Sequence, residues 1–170
     1  MALTKVIGEG LGNLDENITF STASKGVHLG VTSATSSNLI SDYEEGTWSP
    51  TTTSGTVSVV SNSANYIKVG RMVTVYCRLV SFSDTTSGNS FAISGLPFTI
   101  SVDGNDEGHT GDAWGNGMGD HRSLFFYSAS GNNTSTSSYY GGAGNTYNQV
   151  TYSNFDANTN MLVKLHYFTT

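Results

Sequence analysis

From Val73 to Leu79, within "MVTVYCRLV" (residues 72–80), apolar and more polar side chains alternate without a slip. Successive side chains of a strand point to opposite faces, so a period of two fits a strand with one buried side and does not fit a helix. Val73, Val75, Cys77 and Leu79 fall on one face; Thr74, Tyr76 and Arg78 fall on the other. The run 160–168 behaves alike, with Met161, Val163, Leu165 and Tyr167 alternating against Leu162, Lys164, His166 and Phe168. Shorter runs predict strands over 56–61, 65–69, 90–94, 98–102, 122–128 and 147–152. Ser, Gly and Asn turns separate them, and no window between them carries helical periodicity. Pro97, in "SGLPF", marks a tight bend between strands. The expected fold is all-β: an antiparallel β-sandwich or jelly roll.

The composition agrees. Ser, Thr and Asn supply 61 of 170 residues while only 12% are charged, which suits a β-rich particle-surface or extracellular protein better than a helical cytosolic enzyme. At this length one domain can bury a real core without disulfides. Phe91, Phe98, Phe125 and Phe126 sit in apolar runs and are expected in that core.

Residues 1–41 differ. Their short apolar islands ("KVIG", "ITF", "VHLGV") have neither period and cannot bury themselves. They are expected to form an extended N-terminal arm that attaches to a larger particle or to neighbouring subunits, ahead of a sandwich over 42–170. Between the two lies "LISDYEEGTWSPTTTSG". It is read as a structural joint in which Asp42 and Tyr43 mark the corner, Trp48 is the apolar anchor and Pro50 fixes φ to launch the first strand.

Several functions are disfavoured. A net charge of −6 with seven scattered Lys and Arg residues offers no basic patch for nucleic acid. Cys77 is the single cysteine, so no internal disulfide can form. No apolar run approaches the about 18 residues of a spanning helix, so no membrane insertion is expected. The start, "MALTKVIGEGLGNLDEN", lacks the apolar region of a secretory signal.

Two long polar segments, 103–121 and 130–145, are expected as exposed loops. The first gathers Asp103, Asp106, Glu107, Asp112, Asp120, His109 and His121. Read as a calcium loop from Asp103, it places Trp114 where the bidentate carboxylate belongs, and its histidines lack a zinc spacing. The default is a solvated acidic loop with no metal and no cofactor. Asp42, Glu44 and Glu45 suggest a glycosidase pair, yet that chemistry needs two carboxyls held by rigid elements. No G-x-S-x-G elbow occurs, and "GEGLG" at 8–12 lacks the strand, helix and Lys of a phosphate loop. The chain is expected not to be an enzyme. Trp114, Tyr139, Tyr140 and Tyr147 lie in or beside the polar loops. Their rings either stack on sugars, helped by Asn116, Asn132 and Asn133, or pack back to pin the loops.

Three pieces in order, "SSNLISDYEEGTWSPT", "YIKVGRMVTVYCRL" and "ISGLPF", resemble a module of tailed-bacteriophage virion proteins, particularly from phages of aquatic and cyanobacterial hosts. That module reads as a DYEEGTWTP start, a Y-x-K-x-G-x-x-V strand and a GLPF turn. The likeness covers about residues 26–100, and "KGVHLGVT" resembles its lead-in. It implies a virion surface component, made in the cytoplasm of the infected host and trimeric, most often a tail fibre. With no long fibrous shaft ahead of the module in this sequence, the expectation is a short tail fibre or receptor-binding protein, a fibre tip or a capsid decoration protein; a polysaccharide-degrading tailspike is the least favoured. The implied partners are two further copies of the chain, other virion proteins through the arm, and a host glycan or envelope protein.

Overall fold

The structure is a computed structural model that describes residues 19–22, 24–31, 33, 35–101, 111–119, 121, 123–128, 134–141 and 146–169. The chain divides into two units, Met1–Ser41 and Asp42–Thr170. In the first, β1 (Val27–His28) pairs antiparallel with β2 (Leu39–Ile40), and a single 3-10 turn, Ser36–Asn38, leads into β2. Phe20, Val27, Leu29, Val31 and Ile40 are exposed.

The second unit is all-β and antiparallel, and among the described residues the chain forms no α-helix. Its strands are β3 (Tyr43–Thr47), β4 (Thr51–Thr52), β5 (Ser58–Val59), β6 (Asn65–Val69), β7 (Met72–Val80), β8 (Ala92–Ser94), β9 (Gly111–Asn116), β10 (Ser123–Tyr127), β11 (Ser135–Gly141), β12 (Tyr147–Gln149) and β13 (Asn160–Phe168). They form one sheet in the order β3-β6-β7-β13-β9-β10-β11-β8-β4, with β5 also on β7 and β12 also on β11. The two outermost strands, β3 and β4, are joined by three residues, 48–50, so the sheet curls until its ends meet. One curled sheet thereby encloses the core that two facing sheets enclose in a sandwich.

The inner face follows the alternation. Val73, Val75, Cys77 and Leu79 of β7 face Met161, Val163, Leu165 and Tyr167 of β13, all buried. Trp48, Phe82, Phe91, Ile93, Leu124, Phe126, Val150, Tyr152 and Phe155 complete the core. Burial pushes the Cys77 thiol up to about 12, leaving it a small apolar filler.

Several expectations need correction. The segment 111–116, read as loop, is β9, and 135–141 is β11. Their inner positions hold Ala113, Thr136 and Ser138, too small or polar to register as an apolar face, and the Ser138 hydroxyl is satisfied by the Phe91 carbonyl at 2.9 Å. Of the rest of the two expected loops, 117–119, 121 and 134 are described, with Met118 buried in the core, while 103–110, 120, 130–133 and 142–145 lie outside the described residues, Asn132 and Asn133 among them. The expected strand over 98–102 is only a bridge between Ile100 and Thr169. The run at 56–61 narrows to β5. The run at 147–152 ends at Gln149, because Thr151 and Asn154 form a capping box on the 3-10 turn Tyr152–Asn154. Phe125 points outward and is exposed, since its neighbour Phe126 takes the inner position. Pro50 is buried and precedes β4, not the first strand: β3 runs through the acidic stretch itself.

Polar pins hold the connections. Asp84 accepts from the Ser54 and Ser87 hydroxyls, both at 2.6 Å, and from the Ser87 and Thr86 backbone N–H groups. These bonds, led by Ser54, hold its carboxyl down to about 2 from 3.8. A depressed carboxyl contributes stability that is full above the unfolded value and is lost as pH falls through the folded one. Asp84→Asn is therefore expected to lower the Tm at pH 7, with the gap to the native protein closing between about pH 4 and pH 2. A gap that stays constant across that window excludes the linkage.

Candidate functional site

The acidic stretch resolves into three separate pairs. Strand β3 lies at the end of the sheet order, against β6, with Glu44 facing in and Glu45 facing out. Asp42 bonds the ammonium of buried Lys68, which also stands 5.4 Å over the Phe98 ring. Glu44 accepts from the Tyr66 hydroxyl, and Glu45 from the Tyr43 hydroxyl at 3.0 Å. Each carboxylate raises the pKa of the phenol it binds. Each of the three thus serves its own partner, and no two converge on one point. Charges along an end strand also discourage edge-to-edge pairing with another sheet.

Trp48 joins this stretch to the core. Its backbone N–H donates to the Ala64 carbonyl at 3.2 Å, and its indole Nε1–H to the Tyr76 carbonyl at 3.1 Å.

The outer face carries the exposed rings. On β9, Asp112, Trp114 and Asn116 point outward while Ala113 points in. Trp114 stands opposite Leu162 of β13 and Ser123 of β10, and 63% of it is exposed. Gly115 lets β9 press on β13 here: a Cβ at Gly115 would lie 2.1 Å from the Asn160 carbonyl oxygen. Around the indole, Arg78, Asn116, Asn160 and Leu162 border a shallow depression of about 340 Å³. The Arg78 Nε–H donates to Asn160 Oδ1 at 2.9 Å, which fixes the guanidinium plane. A flat aromatic face beside amides and a positioned guanidinium suits a sugar ring, whose C–H face stacks while its hydroxyls take hydrogen bonds.

Phe125 and Tyr127 of β10, Tyr139 of β11 and Tyr147 of β12 share this outer face. Tyr139 meets Tyr127 and Tyr147 edge to face, with centroids 6.4 and 5.3 Å apart. Tyr140 points the other way, packs against the core and stacks on His121 at 3.7 Å. The structure therefore brings Trp114 and Asn116 into one site, sets Tyr139 two strands away on the same face, and turns Tyr140 inward. Arg78, Asn160 and Leu162 escaped the sequence reading. The alternation places Arg78 and Leu162 on the outward faces of their strands, but only the pairing of β7, β13 and β9 sets them beside Trp114.

No family model, no curated protein and no solved structure matches the chain.

Proposed function

We propose that this chain is a virion surface protein of a tailed bacteriophage, a short homotrimeric tail fibre that attaches the particle to its host by binding a surface glycan without turnover. The observation that carries the reading is the exposed Trp114 ring framed by Arg78, Asn116 and Asn160 on a rigid sheet face. The "DYEEGTW", "YIKVG" and "GLPF" stretches supply the particle context. Residues 1–41 dock on other virion proteins, and assembly in the host cytoplasm delivers the protein to the outside on the particle. Binding is favoured over hydrolysis because Asp42, Glu44 and Glu45 are each held by a separate partner.

Trp114→Ala tests the reading. An exposed aromatic anchor of this kind contributes about 2 kcal/mol, or about thirtyfold in affinity. Adsorption of the purified protein to host cells is expected to fall accordingly with an unchanged circular dichroism spectrum. Native adsorption by the folded variant rejects the assignment.

One observation favours capsid decoration as a second reading. Tyr43, Val69, Met72 and Phe168 are in register across β3, β6, β7 and β13 and are all exposed, an apolar row suited to packing against another subunit. Copy number separates the readings: hundreds per particle indicate decoration, a few dozen or fewer a fibre.

A further inference from the structure

Three shallow depressions share walls across the outer face. The first, about 380 Å³, lies between β3, β6 and β7 beside Thr47, Asn65 and Tyr76. Tyr76 also borders the second, about 410 Å³, with Arg78, Asp112, Leu162 and Lys164. Arg78 and Leu162 then separate the second from the Trp114 depression. Together they form a groove that crosses the strands from β3 to β9, four inter-strand gaps and so roughly 19 Å. That is room for several linked rings, not for one small molecule.

The cations of the folded unit are distributed unevenly. Of the four among its described residues, Lys68 is bound to Asp42, and Arg71 donates to the Thr169 carbonyl and the Ser101 hydroxyl. The other two, Arg78 and Lys164, both line the groove. They are diagonal neighbours, since Arg78 pairs with Leu162 and Tyr76 with Lys164. Among the described residues neither forms an ion pair, although Asp112 stands opposite Lys164. Asn160 accepts from the Arg78 Nε–H, a bond that does not use the two terminal nitrogens of the fork. A guanidinium fixed in this way is matched by a carboxylate, which it binds with two parallel hydrogen bonds. Asp112 and Glu45 also face the groove. They suit hydroxyl donors and oppose a carboxylate on every ring.

The geometry points to an acidic polysaccharide as the ligand: a chain carrying carboxylates on some of its rings, threaded across β3 to β9, with one uronate held by Arg78 and Lys164 and the next ring stacked on Trp114. This rests on the glycan-binding reading above and narrows it to a charge class.

The test titrates the full chain, by isothermal calorimetry, with hexasaccharides containing glucuronate, galacturonate or mannuronate, each beside its carboxyl-reduced neutral form. At least one acidic member is expected to bind about tenfold more tightly than its reduced form. Arg78→Gln is expected to abolish that preference. Lys164→Gln, made separately as a second probe of the same charge pair, is expected to weaken the acidic member several-fold and leave the neutral one unchanged. The inference is overturned if reduced forms bind as well as acidic ones, if both variants keep the preference, or if no acidic member binds. Host adsorption of Trp114→Ala distinguishes the two levels. Lost adsorption without acid preference removes only the charge assignment, whereas native adsorption removes the glycan-binding reading with it.

Discussion

Replacing Trp48 with alanine is expected to lower the unfolding free energy by about 3–5 kcal/mol, the range for deleting a large buried aromatic. The ring is buried in the main core, and it lies on the three-residue link between the two end strands of the sheet. Its loss opens a cavity where the curl closes and removes the hydrogen bond from Nε1 to the Tyr76 carbonyl. Against a typical total of about 5–15 kcal/mol, that removes between about a fifth of the stability and all of it. Trp48→Phe separates the contributions: it keeps most of the apolar area, and loses the indole bond at about 1 kcal/mol. Urea unfolding followed by far-ultraviolet circular dichroism measures both. A Trp48→Ala variant within 1 kcal/mol of the native protein would mean that closure of the curl does not depend on this side chain.

Phe91→Ala is expected to cost about as much, roughly 3–5 kcal/mol. Phe91 is the hub of the aromatic core, with Phe155, Tyr152, Phe82 and Phe126 at centroid distances of 4.8, 5.5, 5.9 and 6.4 Å. It is wholly buried, and its backbone joins segments far apart in sequence: its N–H donates to the Val150 carbonyl at 2.8 Å, and its carbonyl accepts from Ser138. The four neighbours cannot all collapse into the space, because Phe126 is held on β10 and Tyr152 and Phe155 are held together by the 3-10 turn that they bound. Phe91→Leu fills part of the volume and should recover about half of the loss. Equal stability of the alanine and leucine variants would indicate that the surrounding rings relax freely.

The two strands with clean apolar alternation, β7 and β13, were legible in the sequence to the residue or nearly so, because burial on one face imposes a period that composition cannot hide. So was the all-β class. β9 and β11 were not. Their inner faces carry Ala113, Thr136 and Ser138, and Gly111 and Gly115 lie so close to β13 that glycine is needed for contact, not for a turn. Glycine and serine thus read as loop while acting as thin strand. The site was half legible for the same reason. The exposed Trp114 and Asn116 stood out locally. Arg78 and Asn160, 82 residues apart in sequence and joined by a 2.9 Å hydrogen bond, needed the strand order.

That order has a consequence for how the protein is made. β13, which follows all the other described strands in sequence, lies in the middle of the sheet, between β7 and β9. Until residues 160–168 have been synthesised, β7 and β9 each present an open edge and the sheet exists as two halves. Pairing so distant in sequence is slow to form and leaves strand edges exposed meanwhile. A ribosome translating this chain therefore carries no finished sheet until residues 160–168 have been made, and the groove floor, built from β7, β13 and β9, closes only then.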